Sequence, residues 1–148
     1  KKGFQEEDFA SLHPGGHLGK RLLQVSRLMH SDKELPTVPK SAELPEVVAT
    51  ISSKQLGMVC VTESDGTLAG VVTDGDLRRK LADPMALTNQ TAENLMTPSP
   101  HTIDESVLAA HALNLMEKHR VTSLIVVDRN QMVLGVVHLH DLWRTQLF

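Results

Sequence analysis

A chain of 148 residues, 41% of them hydrophobic, has the size of one compact domain and enough apolar side chains to bury a core, which excludes wholesale disorder. With no Tyr, one Trp and three Phe, that core must be built from Val, Leu, Ile, Met and Ala, and aromatic platforms for stacking single-stranded bases are missing. A formal charge of −3 and a pI near 6.2 give no broad attraction to phosphate backbones or anionic membranes, so neither nucleic acid nor a membrane is an expected partner.

The chain opens on Lys1-Lys2 rather than Met, which points to a piece of a longer protein. No apolar signal region follows, and no later apolar run approaches the ~18–20 residues of a membrane span. Within Phe4 to Leu23, His13 and His17 are four apart, but Pro14-Gly15-Gly16 between them breaks a helix and argues against a helical metal pair. Gly15, Gly16 and Gly19 lack the Lys-Ser/Thr that would complete a phosphate-cradling loop.

Leu28-Met29 then leads into a short extended piece, Pro36-Thr37-Val38. A helix is expected next, with Ser41 as its cap, Pro45 in its first turns and Val47, Val48 and Ile51 as its apolar stripe. Two β-prone runs, Met58 to Thr62 and Leu68 to Val72, flank the polar turn Glu63-Ser64-Asp65-Gly66 and describe a hairpin. Cys60 lies inside the first run and reads as a small buried hydrophobe; a lone thiol fits a reducing cytoplasm. Asp76 opens a second helix, whose Arg78-Arg79-Lys80 is either a solvated face or a trap for phosphate or carboxylate. Ala82 to Thr91 is a connector.

The same series then recurs. Leu95-Met96 precedes the extended Pro100-His101-Thr102-Ile103, and a helix carrying Val107, Leu108, Ala110, His111, Leu113, Leu115 and Met116 is expected to be capped by Asp104. Ser123 to Val127 and Met132 to Val137 form a second hairpin about Asp128-Arg129-Asn130-Gln131, and Asp141 opens the last helix. Leu56 to Val72 aligns without a gap onto Val121 to Val137, Gly70 falling on Gly135 and Asp76-Leu77 on Asp141-Leu142. A single such unit is too small to bury a core comfortably, so two units should pack face to face.

The repeated blocks Gly70-Val71-Val72-Thr73-Asp74-Gly75-Asp76-Leu77 and Gly135-Val136-Val137-His138-Leu139-His140-Asp141-Leu142 resemble those of the cystathionine-β-synthase-type (CBS) domain pair, over about Val25 to Trp143. The resemblance implies an α/β (α+β) fold in which two β-α-β-β-α repeats pack about a pseudo-twofold axis. It also implies a regulatory role, with a nucleotide held between the repeats. The residue chemistry is suitable: a carboxylate accepts from both hydroxyls of a ribose, a threonine donates or accepts, and a helix N-terminus receives phosphate. Thr73 and Asp76 match the ribose-binding pattern, whereas His138 departs from it and leaves the second cleft empty or differently used. The structural alternative is that Asp76 and Asp141 do no more than stabilise their helices.

Phe4 to Leu23, with His13-Pro14-Gly15-Gly16, is similar to the end of the sugar isomerase domain in the D-arabinose 5-phosphate isomerase family, and Thr73-Asp74-Gly75-Asp76-Leu77-Arg78-Arg79 is also similar to that family. The implied division is 1–24 for the end of the isomerase domain, 25–81 for the first repeat, 82–91 for the connector and 92–148 for the second repeat. The implied parent enzyme interconverts D-ribulose 5-phosphate and D-arabinose 5-phosphate for synthesis of 3-deoxy-D-manno-octulosonate (Kdo) and lipopolysaccharide. His13 matches that family's active-site histidine, inert here without the rest of its domain. No cofactor is expected, and the effector expected is the activated sugar CMP-Kdo or another nucleotide, adenine nucleotides included. The expected ligand-binding residues are Thr73, Asp76, Met58, Arg78, His101, Thr102, Ser123, His138, His140 and Asp141. A metal site at His101, His138 and His140 is geometrically conceivable but lacks further carboxylate or thiolate ligands, so these histidines are read as hydrogen-bond donors to the cleft. Met58, Met96, Met116 and Met132 read as core fillers, with a base-cushioning role as the alternative. A homodimer, within a tetrameric parent, is expected, and a ligand-free assembly module is the competing function.

Overall fold

The computed structural model describes residues 22–87 and 90–145. After two short 3-10 turns, Val25–Arg27 and Asp32–Glu34, the first series runs β1 (Thr37–Pro39), α1 (Leu44–Lys54), β2 (Met58–Thr62), β3 (Leu68–Thr73) and α2 (Asp74–Leu81). A 3-10 turn at Pro84–Leu87 leads to α3 (Ala92–Leu95), β4 (Thr97–Pro98), β5 (Thr102–Ile103), α4 (Ala109–His119), β6 (Ser123–Val127), β7 (Val133–His138) and α5 (Leu139–Trp143). β1 runs parallel to β2, with β3 and β4 added antiparallel; β5, β6 and β7 repeat the first three strands of that sheet.

The repeat extends to backbone detail. Both hairpins slip register at the same place, between Val61 and Thr62 and between Val126 and Val127. Helix α1 ends on Gln55 at φ 60° and α4 on Arg120 at φ 56°, both left-handed caps that stop the helix and turn the chain into the next strand. Hairpin turns place Gly66 and Gln131 at positive φ in matching positions.

The helix starts differ from expectation: α2 and α5 open two residues before Asp76 and Asp141, which fall in their first turns, and the caps of α1 and α4 are not the expected ones. The residue capping α1 is Glu43 and not Ser41, with Pro45 in the first turn. Val47 and Ile51 are buried while Val48 is 39% exposed, so the stripe is narrower than the sequence suggested. Helix α4 starts at Ala109 behind Leu108, not at Asp104. Asp104 closes a local turn instead, its carboxylate accepting from the Ser106 amide at 2.8 Å and hydroxyl at 2.6 Å, and a side chain so engaged cannot cap a helix further on.

Among the described residues, three apolar clusters fill the interior. Leu56, Met58 and Cys60 of the first half meet Ile125, Val127 and Val136 of the second, so the sheets pack face to face. Each half also has a cluster between its sheet and helices, and these clusters exchange their leading segments. Val25, with Leu28 and Met29, packs in the second half among Ile103, Ala109, Met116 and Leu142. Ala92 and Leu95, with Met96, pack in the first among Val38, Val47, Val59 and Val61. Backbone bonds fix both crossings: Val25 N donates to Val107 O at 2.8 Å, and Ala92 N to Ala42 O at 2.7 Å. A repeat in the sequence and a half of the structure are therefore different sets of residues.

Glycine permits the two close approaches. Met96 lies over Gly70 and Met29 over Gly135, so near that a Cβ would fall within 2.8 Å of Thr97 O in one case and 2.9 Å of His30 O in the other. β4 consequently pairs with β3, Thr97 opposite Val71, and His30 is bridged to Val136 in the matching place.

Candidate functional site

A cavity of about 700 Å³ opens between the halves. One wall is the end of β3 and the start of α2, where Thr73 is the cap residue and Asp76 the third residue of the helix. Thr73 Oγ1 accepts from the Asp76 amide at 3.1 Å, and Asp76 Oδ2 accepts from the Thr73 amide at 3.0 Å. This reciprocal capping box satisfies two amides that would otherwise lack partners and holds the hydroxyl and carboxylate together at the cavity edge. Asp76 is also paired with Arg79 at 2.5 Å, and Arg78 and Arg79 line the same wall.

The facing wall comes from the second repeat: Arg120, Val121, Thr122 and Ser123 at the entrance to β6, and His138 at the end of β7. Met58 and Ser123 hold equivalent places, each opposite the cap residue of its hairpin, Thr73 or His138. Thr97, Pro100 and His101 close a third side. The arrangement combines an apolar floor of Met58, Val71 and Ile125 with a hydroxyl-carboxylate grip and several basic side chains, a set suited to a ligand with both a polyol and anionic groups.

Seven of the residues expected in the cleft line it: Met58, Thr73, Asp76, Arg78, His101, Ser123 and His138. Thr102, His140 and Asp141 do not. Thr102 is in β5 opposite Ile125, and His140 is exposed beside Trp143, their ring centroids 5.4 Å apart. Asp141 is buried with other partners: its Oδ2 accepts from the His138 amide at 2.8 Å, its two oxygens face His30 Nε2 at 2.9 and 3.0 Å, and Oδ1 also pairs with Arg144. His13 lies outside the described residues.

Gly57, Thr97, Arg120 and Thr122 were not foreseen as cavity residues. Arg120 carries one usable signal, standing immediately after an amphipathic helix where a left-handed cap is expected; Thr122 is brought in where the second half closes over the first, and Gly57 and Thr97 stand beside the Thr73 cap within the first half's own sheet.

The histidines divide into distinct roles. His138 does as a cap what Thr73 does in the first half, through a ring nitrogen: Nδ1 accepts from the His140 amide at 3.0 Å. Its ring is therefore neutral with the proton on Nε2. Burial, followed by the neighbouring His140, holds its pKa below the ordinary value. His101 stacks on His119 at 3.7 Å, which fixes its ring on the cavity rim. Among the described residues, no three His, Cys, Asp or Glu side chains cluster to hold a metal ion. Among them too, no helix is long and apolar enough to cross a membrane. Cys60 is fully buried, and burial pushes its thiol up to about 12, so it contributes packing and no reactivity.

Known proteins place this architecture. Arabinose 5-phosphate isomerase KdsD of Yersinia pestis is 42% identical over 144 residues, covering 97% of this chain and 44% of that protein. KdsD of Escherichia coli strain K12 is 40% identical over the same lengths. The chain thus spans less than half the length of these curated relatives. Among solved structures, CBSX2 of Arabidopsis thaliana in complex with AMP superposes with a TM-score of 0.72 at 26% identity, covering 84% of this chain and 96% of that one. The CBS pair of MJ0100 in complex with 5'-methylthioadenosine and S-adenosyl-L-methionine gives 0.74 at 22% identity, covering 83% and 94%. The family model for the CBS domain matches residues 25–83 and 92–142, and with two sheets, two capping boxes and a shared cleft the chain belongs to the CBS-domain family as a tandem pair.

Proposed function

We propose that this pair is the effector-sensing part of a D-arabinose 5-phosphate isomerase, and that a nucleotide or sugar nucleotide binds between its halves. The observation carrying this reading is the cavity that unites Thr73 and Asp76 with Arg78, Arg120 and His101. The Thr73 hydroxyl accepts from the Asp76 amide and keeps its proton for a ligand, while the carboxylate retains lone pairs for a diol. The N-terminus of α2 and the arginines favour phosphate or carboxylate. AMP in CBSX2 supports a nucleotide as the class of ligand.

CMP-Kdo is the specific effector proposed, since its cytidine ribose, phosphate and sugar carboxylate answer the hydroxyl-carboxylate grip and the basic groups together; an adenine nucleotide is the alternative. Binding regulates only if one placement of the pair relative to the catalytic domain binds the effector more tightly. A cytoplasmic dimer within a tetrameric isomerase is the setting proposed. Thermal-shift titration with CMP, CMP-Kdo, AMP and ATP tests the reading, because a specific ligand raises Tm with its concentration. No shift with any of them, together with unaltered regulation of the full-length enzyme in Thr73→Ala, would favour a ligand-free assembly module.

A further inference from the structure

The two halves present matching carboxylates in matching capping boxes, Asp76 after Thr73 and Asp141 after His138, yet beyond the cap residue itself their surroundings differ at the segment lying beside the second hairpin strand. Opposite Val71 stands Thr97, small, exposed and part of the cavity wall. Opposite Val136, in the matching place, stands His30, its backbone held both ways, from His30 N to Val136 O at 2.8 Å and from Val136 N to His30 O at 3.0 Å.

The His30 ring reaches Asp141. Nε2–H donates to Oδ1 at 2.9 Å and Oδ2 at 3.0 Å, while Nδ1–H donates to Glu34 at 3.0 Å, so the ring is tied at both nitrogens. With the His138 amide and Arg144 added, both Asp141 oxygens are committed and the residue is 3% exposed. Asp76, by contrast, accepts from the Thr73 amide and Arg79 alone among the described residues, and remains 13% exposed on an open cavity.

We infer that His30 is the intramolecular occupant of the second site, standing where a ligand's hydroxyls would meet Asp141, so that the pair takes one ribose-bearing ligand per chain, at Thr73 and Asp76. The inference rests on the reading of Thr73 and Asp76 as the ribose grip and deepens it: specificity for one site over its twin is set by a residue of the exchanged leading segment, outside both capping boxes. The preformed network excludes the ligand because reaching Asp141 requires displacing the His30 ring from both carboxylate oxygens and from Glu34, whereas Asp76, with the same capping and arginine contacts, needs nothing displaced.

Titration calorimetry with AMP and with CMP tests this on the wild-type chain, on His138→Thr alone, on His30→Thr/His138→Thr, which copies the first half's residues into the second, and on that double variant with Thr73→Ala added. The expected stoichiometry is close to one in the wild type and in His138→Thr, rises toward two in the double variant and returns toward one in the triple variant; two sites in His138→Thr alone would overturn the role of His30. A folded double variant still at one, or a wild type at two, overturns the role of His30 and leaves the first site standing. Absence of binding by both nucleotides in the wild type overturns the ribose grip itself, and the inference with it. Should the double variant fail to fold, the wild-type His30 ring resonances decide: they should stay unmoved at saturating nucleotide, and displacement of that ring overturns the inference.

Discussion

His30 and Asp141, 111 positions apart in sequence, are joined by a forked hydrogen bond in which one ring nitrogen serves both carboxylate oxygens. Because the other ring nitrogen also faces a carboxylate, Glu34, the ring is best satisfied as an imidazolium. Burial lowers its pKa, but the hydrogen bonds to Asp141 and Glu34 and their charges outweigh that effect and hold it above the ordinary 6.5.

A pH dependence follows. With the folded pKa raised, the His30 contribution to stability is complete below 6.5 and is lost as pH climbs through the raised value. His138, with a lowered pKa, works the other way, its contribution being lost as pH falls. His30→Ala should cost about 1–3 kcal/mol, since it strips a buried carboxylate of a charged partner. The difference in urea midpoint between wild type and variant should be larger at about pH 5.5 than at about pH 8.5. An equal difference at both values would show that the pair does not titrate as described.

Thr73→Ala removes the cap of α2 and should cost about 0.5–2 kcal/mol in urea unfolding. It should also abolish the nucleotide-dependent rise in Tm, while Thr73→Ser retains both stability and response. A variant that loses stability yet keeps the full thermal response would restrict Thr73 to capping.

Gly70→Ala and Gly135→Ala test the close approaches. Each new methyl would meet a backbone carbonyl below 3.0 Å, Thr97 O or His30 O, as well as a methionine sulfur, and backbone cannot give way as a side chain does. Each should cost about 1–3 kcal/mol by overpacking. Gly135→Ala should in addition weaken the pH-dependent part assigned to His30, which Gly70→Ala should leave intact; comparing urea midpoints of the two variants at the same two pH values checks this.

Cys60 should resist thiol reagents in the native protein and react on unfolding, because its buried thiol is held up to about 12. The labelling rate should rise with denaturant in step with opening of the core. Prompt labelling under native conditions would contradict the burial found here.

Much of this architecture is legible in the sequence because its signals are local. Both hairpins follow from β-prone runs about polar turns, and Thr73 to Asp76 has the spacing of a capping box. The helix starts were less legible, since Asp104 and Ser41 are good caps by type, and only the turn formed with Ser106 shows why Asp104 is otherwise engaged. Asp141 was expected in the cleft on its likeness to Asp76. What withdraws it is His30, and no spacing rule joins residues that meet through exchange of the leading segments. Arg120 and Thr122 are not legible as cavity residues for a different reason: they reach the cavity only where the second half closes over the first.

That exchange also governs how the molecule can be divided. A chain restricted to residues 92–145 would lack Val25 and the edge cover that His30 gives Val136; one restricted to 22–83 would lack Ala92, Leu95 and the strand beside β3. Neither repeat is a self-sufficient folding unit, so the intact pair should melt in a single cooperative transition. Two copies of the intact chain that unfold and refold together at high concentration have a ready route to domain-swapped dimers, each lending its first segment to the other's second half.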